Sequence, residues 1–306
     1  MRLLATVLAA TVVITAPAAA QTVTEADGTR TMSVDAWVPA TPAQVWDAVT
    51  TAEGWKSWAV PAAWYVAPDL LETSYDADAK PGGANNIQQR IFARLPGRLL
   101  VFRNAKTPPG FPHAAEFGGV TQFIELTPED GGTRVRLTGA GYPAGAAGDT
   151  LLGFFVTGNK QTIDMLAARF GRAPLDFLTG HCWKGTLPTG EANIHCFDVA
   201  NGKVRDRHEV LKDGKKVYGG ETLYGWNPAS RRIDYVYTGM GGGEMRGSMK
   251  PDGADLDFGT ADHVGKNGAR ITITTRWVRV APDAYEARDA SATPGFTHNV
   301  RYTRVD

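Results

Sequence analysis

Met32, Val34 and Ala36 alternate with Thr31, Ser33 and Asp35, a two-residue period that predicts a strand over residues 31–38 with one buried face. The period then lengthens. Thr41, Pro42 and Gln44 form a helix start: Thr41 caps free N–H groups, Pro42 suits the first helical position, and Gln44 closes a capping box. Val45, Trp46 and Val49 put an apolar stripe on this short helix, and a second helical turn is expected over residues 52–58. Strand-like runs follow at 63–66, 86–95, 98–104, 119–127 and 133–142, with turn residues between them. Residues 106–118 contain Pro and Gly and form a loop too long for a simple hairpin. One long helix closes this half. Asp149 is its expected cap, Leu152, Phe155, Ile163, Leu166 and Phe170 recur at helical spacing, and Gly171 marks its end.

A boundary falls at residues 171–174, and beyond it the pattern is almost wholly β. Strands are expected at 182–187, 192–199, 203–211, 216–226 and 232–238, then at 244–249, 255–258, 269–280, 284–289 and 300–305. About ten short strands at this spacing predict an up-and-down antiparallel barrel. In the first half, a curved antiparallel sheet wrapped around the last helix satisfies the element order, because the helix covers the apolar face that the sheet leaves open.

The run from Val38 to Thr50, with Thr41, Pro42, Gln44, Val45 and Trp46, is followed by Glu53, Gly54 and Trp58. It resembles the opening of the START-like (SRPBCC) helix-grip superfamily, in the branch related to the Hsp90 ATPase activator C-terminal domain. The resemblance spans residues 30–171 in element order, and its sharp motif is confined to the opening helix. The run at 177–185, with Gly180 and Trp183, resembles the first strand of lipocalin-like (calycin) barrels, with one extra residue in the spacing. Tyr218, Gly220, Glu221, Tyr224 and Trp226 lie in a run similar to those of small secreted barrel domains of unknown function. The implied fold is an α+β helix-grip domain at 21–172, followed by an all-β antiparallel barrel at 173–306. The first resemblance implies lipid, polyketide or aromatic ligands, and some START-like proteins are cyclases or hydrolases.

The N-terminus changes the compartment in which this chemistry is read. Arg2, an uncharged apolar run at 3–15 and the small residues Ala16 to Ala20 form a signal peptide ending in an A-x-A cleavage pattern, here residues 1–20. The apolar run is shorter than the roughly 20 residues that span a bilayer. A periplasmic or secreted protein without a membrane span is expected. Lys plus Arg and Asp plus Glu number 32 each, with no run of like sign, which argues against a nucleic-acid partner.

Cys182 and Cys196 are equidistant from Thr189 in the turn between two expected strands. Directly opposed positions bring Cβ atoms within disulfide reach, and an oxidising compartment favours the bond. His181 and His195 precede the two cysteines and invite a zinc reading. Neighbours on a strand point to opposite faces, so no metal and no cofactor are expected. His208, beside Glu209, reads either as a general base or as a polar residue on the outer face of a barrel strand, and the second reading is preferred.

In the first half His113 and Glu116 are catalytic candidates, a proton-transfer pair on the long loop or solvated loop residues. Trp55, Trp58, Arg103, Asn104 and Phe155 are candidate ligand-binding residues, although core positions suit most of the tryptophans, including Trp46 and Trp64. There is no G-x-S-x-G elbow, P-loop, dinucleotide glycine fingerprint or H-E-x-x-H. The expected function is binding of a small apolar or amphipathic molecule in internal cavities of both domains. The alternatives are a cyclase- or hydrolase-type enzyme, using His113 with Glu116 or Arg103, and a protein-interaction module. A chaperone-cofactor role would belong to the cytosol and conflicts with export.

Overall fold

The computed structural model describes residues 20–305, so the expected signal peptide lies outside the described residues apart from its last position. The chain opens with β1 (Gln21–Thr24) and β2 (Arg30–Val38), then α1 (Pro42–Thr50) and α2 (Ala52–Lys56). Next come β3 (Ala62–Ala67), β4 (Leu70–Ser74), β5 (Ile87–Leu95) and β6 (Leu99–Lys106). A short helix α3 (Ala114–Gly119), β7 (Thr121–Glu129), β8 (Gly132–Tyr142) and the long helix α4 (Ala146–Gly171) complete this half. The eight strands form one antiparallel sheet in the order β1-β2-β8-β7-β6-β5-β4-β3. Met32, Val34, Ala36 and Val38 of β2 are buried on the face that α4 covers, as alternation requires.

The capping box at Thr41 and Gln44 is present. The far end of α1 is finished by aromatic side chains. Trp55 Nε1 donates to Val49 O (2.8 Å), Trp58 Nε1 to Ala48 O (3.0 Å) and Tyr65 OH to Thr50 O (2.7 Å). Carbonyls in the last turn of a helix have no partner within the helix, so these bonds seat two stacked indoles against α1.

Three local expectations need correction. β4 was not expected; its Glu72 is fully buried and accepts bonds from Gln88, Asn86 and the Gly82 N–H. The end of the expected 106–118 loop is the helix α3, which delays the following strand to Thr121. Asp149 does not cap α4: Gly145, at φ +81°, precedes the helix, and Asp149 in its first turn pairs with Arg30 of β2.

A 3-10 turn, Ala173–Leu175, leads into the second unit. Its strands are β9 (Cys182–Thr186), β10 (Ala192–Ala200), β11 (Lys203–Lys212), β12 (Lys215–Asn227) and β13 (Arg232–Gly239). They continue with β14 (Glu244–Asp252), β15 (Asp255–Val264), β16 (Arg270–Ala281), β17 (Ala284–Ala290) and β18 (His298–Val305). Each pairs antiparallel with the next, and β18 closes the barrel on β9. Cys182 lies opposite Cys196, and the two form a disulfide.

Trp226 of β12 belongs to both cores. Its ring stacks on Trp37 of β2 with centroids 6.1 Å apart, and Gly171 packs against it from α4. Arg231, just before β13, lies over the Trp37 ring and pairs with Glu129 (3.3 Å) and Asp130 (3.2 Å) at the end of β7. The two units are therefore fastened together by an aromatic sandwich and an ion-pair cluster.

Candidate functional site

The sheet and α4 of the first unit enclose a cavity of about 380 Å³. Its walls follow from the pattern already described. Trp55 and Trp58 form one side, Phe102, Ile124 and Leu137 supply the floor from alternate positions of the sheet, and Phe155, Ile163 and Leu166 close it from α4. Phe117 of α3 stacks on Phe155 (centroids 4.4 Å), and Phe111 packs against both, so the loop and short helix before β7 act as an aromatic end wall. A space of this size lies in the range that holds small molecules, about 300–1,000 Å³.

A few polar groups interrupt the apolar lining. Gln89 and Asn104 face in from β5 and β6, Gln122 from β7, and Asn159 and Thr162 from α4. Asn159 stands out physically: it is 7 % exposed, and its amide Nδ2 has no hydrogen-bond partner. An unpaired buried donor costs about 1–3 kcal/mol, which a ligand acceptor would recover. Burial pushes the pKa of the nearby Tyr142 up to about 12, and its hydroxyl has no hydrogen-bond partner. No ionised side chain is among the lining residues, so the wall presents an uncharged, largely apolar surface.

The expected site residues divide cleanly. Trp55, Trp58, Asn104 and Phe155 all line the cavity. Arg103 does not: neighbouring strand residues face opposite ways, and its exposed guanidinium lies over Phe92 and bonds Thr121 Oγ1 (2.9 Å). His113 and Glu116 are exposed and line no part of the cavity. Asn159, Gln89 and Gln122 escaped sequence reasoning. Asn159 gave one usable signal, a polar residue on the same helical face as Phe155, Ile163 and Leu166.

The barrel differs from the expectation of an apolar cavity. Trp183, Tyr235, Phe258, Trp277, Tyr285 and Tyr302 are buried against one another, so aromatic side chains fill much of its interior. His208 is not on the outer face. It stacks between His195 (5.1 Å) and Tyr237 (5.5 Å), and burial together with nearby His195 lowers its pKa to about 4. His195, His208, His263 and His298 make ring or ion-pair contacts with inward side chains.

His195 Nδ1 lies 2.8 Å from the buried Asp206 carboxylate, an arrangement familiar from general bases. Here the other ring nitrogen, Nε2, is 3.1 Å from the Asn193 amide, which also donates to Tyr302 OH (2.8 Å). Both ring nitrogens therefore have a protein partner within hydrogen-bond distance. The Asn193–His195–Asp206 chain, continued to Tyr302, is a side-chain network inside the barrel. Among the described residues no group of three or more His, Cys, Asp or Glu side chains is placed to hold a metal ion.

Residues 29–171 match the family model for polyketide cyclase / dehydrase and lipid transport proteins, a match confined to the helix-grip half. No curated protein matches the sequence. Among solved structures, the chain is similar to the Aha1 dimer of Colwellia psychrerythraea, at 15% identity over 46% of this chain and 95% of that one, with TM-score 0.37. It is also similar to CalU16 of Micromonospora echinospora, at 18% identity over 50% of this chain and 83% of that one (TM-score 0.35). A Thermobifida fusca protein matches at 21% identity over 46% of this chain and 93% of its own (TM-score 0.36).

Proposed function

We propose that this chain is an exported binding protein for a small, largely apolar molecule carrying a hydrogen-bond acceptor, held in the helix-grip cavity. One observation carries the reading: an aromatic-walled space of about 380 Å³ with a single unpartnered donor, Asn159 Nδ2, buried on its wall. The match of residues 29–171 to a family described by polyketide cyclisation and lipid transport supports the same ligand class. Export rests on the N-terminal signal pattern, and the Cys182–Cys196 disulfide is in keeping with an oxidising compartment.

No observation favours turnover over binding, because the exposed His113 and Glu116 are not on the cavity wall. The test is native mass spectrometry of the two-domain protein after incubation with extract of its source cells, with thermal shift on each molecule recovered. The reading expects a small apolar ligand at one per chain. Asn159→Leu should weaken it by about 1–3 kcal/mol, a loss of roughly 5- to 150-fold, while raising the melting temperature of the empty protein. Repeated recovery of empty protein, with no ligand-induced shift, would sink it.

A further inference from the structure

A second space, of about 840 Å³, lies between the two units. One side is α4 with the turn after α2, and the other is the β10–β11 turn with the end of β12. Trp58, Ala59, Val60 and Met165 line both this groove and the helix-grip cavity, so the two spaces adjoin across a shared apolar boundary.

The charges around the groove are one-sided. Its carboxylate, Asp164, is engaged by Lys160 one helical turn earlier. Lys56 pairs with Glu53. Arg172 and Lys203 have no ion-pair partner among the described residues. Arg172 terminates α4 half-buried, and its buried Nε has no hydrogen-bond acceptor. The nearest acid, Asp176, is taken by Arg169 at 3.0 Å. Lys203 comes from the barrel and lays its stem across Gly225, where a side chain would meet it at 3.4 Å. Trp226 adds a second buried donor without a partner, its indole Nε1.

Uncompensated cations on one side of this apolar boundary, and an uncharged apolar cavity on the other, are the two halves of a site for a molecule with a charged head and an apolar tail. We infer that the ligand is an anionic amphiphile: its apolar tail occupies the helix-grip cavity, and its carboxylate or phosphate head sits in the inter-unit groove against Arg172 and Lys203. The inference rests on the cavity reading above and adds to it a role for the barrel, which completes the head-group subsite. It also accounts for the fusion of a filled barrel to a cavity-bearing domain.

The experiment compares decanoate, decyl phosphate and 1-decanol by titration calorimetry on the two-domain protein, then repeats the series on Lys203→Glu and Arg172→Gln. The tails are identical, so the alcohol reports the cavity and the difference reports the head group. At least one anion should bind about tenfold or more tightly than the alcohol, the effect of one charge-assisted hydrogen bond, and the better anion identifies the head group. Lys203→Glu, an exposed position, should erase that preference by weakening the anions about tenfold more than it changes decanol. Decanol binding as tightly as both anions would overturn the head-group subsite while leaving the cavity reading intact. A Lys203→Glu preference equal to that of the parent would do the same. Failure of all three to bind would overturn the amphiphile inference, while the extract experiment decides the cavity reading by itself.

Discussion

His208 sits where an ordinary imidazole would begin to protonate in mildly acidic solution, and its surroundings forbid it. Its pKa falls from 6.5 to about 4 because burial and His195 disfavour the charge. Between those two values the unfolded chain binds a proton that the folded chain does not, so stability falls as pH drops from about 6.5 towards 4. The full effect is at most about 3 kcal/mol. Asp289 works the other way: burial raises its pKa, so its contribution is present at low pH and fades as pH rises through the folded value. Comparing His208→Gln with the parent isolates the histidine. Urea midpoints at pH 7 and pH 4.5 should lie closer together in the variant. The disulfide gives a second prediction at this scale. Cys182 and Cys196 are 14 positions apart, and closing a loop of about 15 residues is worth about 3 kcal/mol. Replacing both with Ala should lower the melting temperature, while the β9–β10 ladder keeps the barrel's circular dichroism unchanged.

At the scale of elements, the α1–α2 corner shows how aromatic residues shape the cavity. Trp58→Phe keeps a ring on the wall but removes the N–H that serves Ala48 O, leaving a buried carbonyl short of a partner. A loss of about 1–3 kcal/mol is expected from denaturant unfolding. Most elements were legible because their signals are local: the Thr41 capping box, the alternation in β2 and the turns between barrel strands. The misread ones depend on distant partners. β4 escaped because its inward Glu72 looks like a surface residue until Asn86 and Gln88 reach it from beyond the turn. Asp149 looked like a cap because Arg30, which claims it, lies 119 positions away. His208 was assigned to the wrong face because its inward neighbour, Asp206, is also polar, so hydropathy in β11 does not mark the inside. Four of the five ligand-binding candidates line the cavity: Trp55 and Trp58 beside α1, Asn104 on β6 and Phe155 on the apolar stripe of α4. Gln89, Gln122 and Asn159 had no local mark beyond Asn159's place on an apolar stripe.

Across the whole molecule, Gly171 tests how firmly the units are joined. A Cβ there would sit 2.3 Å from the Trp226 ring, well inside contact distance. Helix propensity alone would favour Ala over Gly by roughly 0.5–1 kcal/mol, but forcing the indole aside costs about 1–3 kcal/mol. Gly171→Ala should therefore destabilise the protein. It should also change tryptophan fluorescence, because the Trp37–Trp226 stack must shift. A stabilised variant with unaltered emission would show that the junction yields freely.

The same stack bears on how the chain is made. Synthesis runs from the N-terminus, so the sheet and α4 leave the ribosome before β12 exists. Until Trp226 arrives, Trp37 on the outer face of β2 has no cover from the barrel, and the first unit is a finished fold with an unfinished surface. Truncation after α4 would preserve that condition permanently, giving a fragment in which the Trp37 ring loses the cover of Trp226 and Arg231.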